Sequence, residues 1–162
     1  MTNLNLSDHR RSSCVPIKLL LKLVDLSKLT KLSLALNFYP NEFPDLQENL
    51  REFFQLTTNL HSLSLFDYWS PSHFSSRLTI LFSILPKYLR HLQIRVRDLD
   101  DIRNVLKHLK QLNSVTFEYS SMLTIQSDEL LNCLTDIGRP TSSWNSTNAI
   151  HLWLGPLINS ND

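Results

Sequence analysis

The sequence is short of glycine, of cysteine and of any excess of one charge, and each shortage removes a class of function. Only Gly138 and Gly155 occur among 162 residues, so no G-x-x-x-x-G-K-[ST], G-x-G-x-x-G or G-x-S-x-G element exists. Those elements need glycine where the backbone must approach a phosphate or turn sharply beneath a nucleophile, which counts against P-loop, Rossmann and nucleophile-elbow enzymes. Cys14 and Cys133 are too few for a disulfide framework or a metal cluster, and both are expected as small buried residues. Sixteen Lys and Arg against fifteen Asp and Glu leave almost no net charge to draw the chain to nucleic acid or an anionic membrane. Long apolar runs are also missing. The stretches Ile17–Leu26 and Leu78–Leu85 are interrupted by Lys18, Lys22, Asp25 and Ser83, and fall far short of the roughly 20 residues of a bilayer span. Met1-Thr-Asn-Leu-Asn-Leu lacks the basic start and apolar run of a secretory signal, which makes the cytoplasm or nucleus the expected home. In that setting Asn145-Ser146-Thr147 reads as a polar turn rather than a glycosylation site.

What is present is a repeat. The chain is 42% apolar and 19% charged, a composition that folds in water, and its length suits one domain over 1–162. From Leu29 the segment Leu-Thr-Lys-Leu-Ser-Leu-Ala-Leu-Asn reads L-x-x-L-x-L-x-x-N, with Leu29, Leu32, Leu34 and Asn37 in the defining positions. The skeleton returns at Leu60, Leu63, Leu65; at Leu89, Leu92, Ile94; at Leu112, Val115, Phe117; and more loosely at Ala149, Leu152, Leu154. Met1, Leu4 and Leu6 fit the same frame. Between these strands lie helical spacings, Phe43, Leu46, Leu50, Phe53, Phe54 and Leu99, Ile102, Val105, Leu106, Leu109. Helix starts are marked by Ser70-Pro71, by Asp98 before Leu99, and by Ser127 before Asp128-Glu129. Strands linked through helices should run parallel.

On these residues the sequence resembles the leucine-rich-repeat family over nearly its whole length. The resemblance implies an α/β solenoid with short parallel strands on one face and helices on the other. Successive motif starts at Met1, Leu29, Leu60, Leu89, Leu112 and Ala149 are 28, 31, 29, 23 and 37 residues apart, longer and less even than the family's usual period. Tyr68, Arg97 and Ser120 stand where the family places the Asn that Asn37 supplies. Long irregular repeats of this kind look most like the arrays that follow an F-box in substrate receptors of cullin-type ubiquitin ligases. No F-box-like segment lies within the chain, so the resemblance implies a fragment whose link to the ligase is a missing upstream F-box. The uncapped motifs near both ends agree with that expectation.

Alternation along each strand turns the motif into a surface. The leucines point inward and the residues between them outward: Lys31, Ser33, Ala35; Ser62, Ser64, Phe66; His91, Gln93, Arg95, Arg97; Ser114, Thr116, Glu118; His151, Trp153. Aromatic and Arg side chains anchor protein interfaces, so the candidate partner-binding residues are Ser64, Phe66, Gln93, Arg95, Arg97, Glu118 and Trp153. Two plainer readings stand beside this one. Arg95 and Glu118 could pair across neighbouring strands, an exposed contact contributing about 0–1 kcal/mol, and Phe66 and Trp153 could pack under loops.

Chemistry-bearing clusters are few. None of the six histidines sits in H-E-x-x-H or beside Cys at ligand spacing, and no metal ligand set, cofactor or catalytic residue is assigned. Asp98, Asp100 and Asp101 precede a helix, and Lys107-His108 end it, as the helix dipole favours. Glu48 and Glu52 flank Arg51 on a solvated helix face. The expected function is therefore non-catalytic capture of a protein partner on the strand face. The alternative is a small α/β enzyme with a site at the C-terminal strand ends, around Asn37, Tyr68, Arg97 and Tyr119.

Overall fold

Among the described residues, segments where leucine alternates with small polar residues form strands, and segments where apolar residues recur at three and four form helices. A computed structural model describes residues 2–6, 25–36, 43–67, 74–119, 127–136, 141–146 and 148–155. In chain order these are β1 (Thr2–Leu6), a 3-10 turn (Leu26–Lys28), β2 (Leu29–Leu36), α1 (Phe43–Leu56), β3 (Ser62–Asp67), α2 (Phe74–Ile84), β4 (His91–Arg95), α3 (Leu99–His108), β5 (Ser114–Glu118), α4 (Ser127–Asp136), β6 (Thr141–Ser146) and β7 (Ala149–Leu154). The fold is mixed α/β, and the chain divides into two compact units, Met1–Leu89 and Arg90–Asp162. Asn37, Tyr68, Ser120, Cys14 and the Ser70-Pro71 helix start lie outside the described residues.

In the first unit β1, β2 and β3 lie side by side in parallel, with Leu4↔Leu32 and Leu32↔Leu63 in register. Leu29, Leu32, Leu34, Leu60, Leu63 and Leu65 are all buried, and the residues between them are not. Burying a leucine contributes roughly 1.5–3 kcal/mol, so this ladder outweighs any polar contact on the opposite face. α1 covers the core with Leu50, Phe53 and Phe54 while Glu48, Arg51 and Glu52 stay exposed. Its C-terminal carbonyls find partners: the Tyr88 hydroxyl lies 3.0 Å from the Phe54 oxygen and 2.7 Å from the Thr57 oxygen. A helix end needs such donors because its last carbonyls have none within the helix. Burial pushes the Tyr88 hydroxyl above its ordinary pKa, the bond at Thr57 opposing the shift.

The repeat extends beyond its leucines to the backbone. The N–H of each leading leucine donates three residues back: Leu29 to Leu26, Leu60 to Thr57, Leu89 to Pro86, Leu112 to Leu109. All four acceptor residues are buried. The four strands β2, β3, β4 and β5 are therefore entered through the same tight turn, which fixes which alternate residues face inward.

The second unit keeps a parallel pair, β4 with β5, with Leu92↔Val115 and Ile94↔Phe117 in register. Here the expectation of parallel neighbours needs correction. β7, the Ala149, Leu152, Leu154 strand, lies antiparallel to β5, with Val115↔Leu152 and Phe117↔Ile150. β6, which the sequence patterning missed, pairs antiparallel with β7 from Thr141↔Leu154 to Ser146↔Ala149. Two residues separate Ser146 from Ala149, enough for a hairpin but far too few for the crossover a parallel pair requires. Asn145 and Ser146 accordingly end a strand rather than form a turn.

α3 starts as its sequence predicts. The Asp98 side chain accepts the Asp101 N–H at 2.9 Å, and buried Asp101 accepts the Arg97 N–H at 3.0 Å. Two of the donors at the helix start are satisfied by carboxylates on the side the dipole favours. Lys107 and His108 close the helix on exposed positions. α4 buries Leu130, Cys133 and Leu134.

Candidate functional site

The alternation that buries the leucines builds an open strand face in each unit. In the first unit it carries exposed Lys31, then half-buried Ser33, Ala35, Ser62, Ser64 and Phe66. Phe66 stands opposite Ala35, and Ser64 opposite Ser33, so an aromatic ring rises beside a methyl group and two hydroxyls.

The face of the second unit is richer. From β4 to β5 the rows are His91↔Ser114, Gln93↔Thr116 and Arg95↔Glu118. β7 continues them with Trp153 beside Ser114, His151 beside Thr116 and Ala149 beside Glu118, and β6 adds Ser142, Trp144 and Ser146. Hydrogen bonds knit the rows together. His91 Nδ1 lies 2.8 Å from the Ser114 hydroxyl, and His151 Nδ1 lies 3.0 Å from the Thr116 hydroxyl. Gln93 donates to the Glu118 carboxylate. The Trp144 and His151 rings stack with centroids 4.8 Å apart and planes 25° from parallel.

The geometry decides the Arg95–Glu118 reading, and the loop-packing reading for Trp153. Glu118 is held by Gln93 rather than by Arg95; among the described residues no ion pair joins Arg95 to Glu118, and Arg95 is exposed. Trp153 is not packed under a loop, since 56% of its surface is accessible. Phe66 is half-buried.

Arg97 departs from the expected column. β4 ends at Arg95, and Arg97 lies in the bend before α3, where its Nε sits 3.6 Å from the Asp101 carboxylate. The helix start draws it off the strand face. Gln93, Arg95, Glu118 and Trp153 thus share one face in the second unit, Ser64 and Phe66 share the face of the first, and Arg97 belongs to neither. The residue that sequence reading missed is Trp144, 57% accessible and stacked on His151. Its signal was the alternation Ser142, Trp144, Ser146, hidden in a segment of poor strand formers.

Of the alternative site at the strand ends, Asn37 and Tyr68 lie outside the described residues. Arg97 is committed to Asp101, and the Tyr119 hydroxyl donates to the Ser146 carbonyl at 3.5 Å. Among the described residues no three His, Cys, Asp or Glu side chains are grouped so as to hold a metal ion. No described helix is long and apolar enough to cross a membrane. The chain matches no protein family and no curated relative.

Proposed function

We propose that this chain is a leucine-rich-repeat-type binding module, an irregular α/β solenoid whose open strand face captures a protein partner. The parallel runs β1–β2–β3 and β4–β5 and the repeated turn before each leading leucine support the solenoid. The observation that carries the binding role is the face of the second unit. Trp153 and Trp144, each more than half exposed, stand on a hydrogen-bonded polar lattice with Arg95 at its rim. Large rigid aromatics with a polar tip, flanked by Arg, supply most of the energy at protein interfaces. Fixing the surrounding side chains in advance reduces the entropy lost on binding.

Carried further, the family resemblance makes the module the substrate-recognition arm of an F-box-type receptor. The partner is then a protein destined for ubiquitination by a cullin-type ligase.

The test is affinity capture from cell extract with the wild-type chain, with Phe66→Ala/Arg95→Ala/Trp153→Ala, and with Glu48→Ala/Glu52→Ala on the helix side. The strand-face variant should lose a specific protein that the other two retain, with unchanged far-ultraviolet circular dichroism. Equal recovery by all three removes the strand face from the account. Recovery of the partner without cullin or adaptor, using the product of the full transcript, removes the ligase role alone.

A further inference from the structure

β6 ends the sheet of the second unit, and the direction of its backbone groups follows from the bonds around it. Tyr119 donates its N–H to the Asn148 oxygen, and Leu154 donates to the Asn113 oxygen. Even-numbered residues of β7 therefore bond toward β5, and its odd-numbered residues toward β6. Through the register Trp144↔His151, it is Ser142, Trp144 and Ser146 of β6 that bond back to β7. The N–H and C=O groups of Thr141, Ser143 and Asn145 point outward, and among the described residues β6 pairs with β7 alone.

Exposed edges are normally guarded by a lysine, a proline, a bulge or brevity. β6 has none of these. Its sequence Thr-Ser-Ser-Trp-Asn-Ser carries no charge and no proline, and all six residues pair with β7 without a register shift. β1, by contrast, has an irregularity between Thr2 and Asn3. Neutrality also bears on what the edge can accept, because a strand that pairs with itself sets each charge near its own copy, and β6 has none to oppose.

We propose that β6 joins two copies of this chain, edge to edge and antiparallel, about a two-fold axis at Ser143. Only the register with Ser143 opposite its copy engages all the outward groups, setting Thr141 against Asn145 of the other copy. In that register Trp144 faces the other copy's Ser142 and lies diagonal to the other Trp144, within the reach of aromatic side chains. The isologous contact closes on itself and makes a dimer rather than a fibre. It leaves Arg95 and Trp153 on the open face, so it does not depend on the partner-binding reading above.

Sedimentation equilibrium of the full chain over a dilution series tests this. The expected result is a mass near twice 18.9 kDa at the concentrated end, falling to the monomer on dilution. Ser143→Pro removes an outward N–H from each copy while sparing the bonds to β7, and should weaken association roughly tenfold or more. Because that variant could disturb the strand, Ser143→Lys and Ser143→Glu provide a second arm. Each alone should sediment as a monomer, and their equimolar mixture should recover the dimer, since the substituted residues face each other only in the proposed register. A monomer throughout the wild-type series overturns the proposal, as does a mixture no more associated than its components.

Discussion

The carboxylates at the start of α3 allow a prediction whose size and order both follow from geometry. Replacing Asp101 by Ala removes the acceptor of the Arg97 N–H, 3.0 Å away, from a side chain only 1% exposed. A hydrogen bond to a buried charged acceptor contributes about 1.5–3 kcal/mol, and a first-turn carboxylate adds about 0.3–1 kcal/mol through the helix dipole. The Arg97 guanidinium adds little, being one-third exposed and 3.6 Å from the carboxylate. Asp101→Ala should therefore destabilise the fold by about 2–3 kcal/mol. Asp98→Ala removes an ordinary N-cap from an exposed position and should cost about 1 kcal/mol. Asp101→Asn keeps an oxygen to accept the Arg97 N–H and should fall between them. Because the Asp98 side chain accepts the Asp101 N–H, the two positions share one network and the double variant should depart from additivity by about 0.5 kcal/mol or more. Urea unfolding followed by circular dichroism measures this through the midpoint at constant slope. If Asp98→Ala proves the more damaging of the two, the buried carboxylate is not what organises the helix start, and the argument fails.

Tyr88→Phe should cost about 1 kcal/mol at neutral pH, through the donor lost from the Phe54 and Thr57 carbonyls. The folded-state pKa of Tyr88 is raised above the ordinary 10.0, so its stabilising contribution is fully present below that value and is lost as pH rises through the folded pKa. Melting curves taken across the alkaline range should show the wild type and Tyr88→Phe converging, and parallel curves would refute the role. In a Cys14→Ser background Cys133, which has no exposed surface, should resist a thiol reagent until denaturant is added. Immediate reaction in buffer would mean that α4 does not seal that side of the core.

Strand positions were legible in the sequence because one interaction dominates them. A leucine at each inward position of a short strand, fixed by a turn with the same bond before every leading leucine, leaves little freedom over which residues face out, and Leu29, Leu60, Leu89 and Leu112 are all fully buried. Asp98 was legible for a similar reason: an acceptor directly before an amphipathic run has few other uses. The hairpin was not. Ser143 shares the side of the sheet on which Ile150, Leu152 and Leu154 are buried, yet it is polar, and the sequence at Thr141 and Asn145 is polar as well, so β6 lacks the apolar alternation by which a strand is recognised. It exists because β7 offers it a bonded edge across a two-residue link. Strand direction escaped detection along with it, because β7 carries the same alternation whichever way it runs and only the short connection fixes the answer. This has a bearing on function. The repeat supplies a regular face that a sequence pattern can list, whereas Trp144, which stacks on His151 of the same strand face as exposed Trp153, arrives on a strand formed only by its neighbour. A variant that breaks the hairpin while sparing every leucine should therefore leave the buried leucine ladder intact and remove the Trp144–His151 stack from the face.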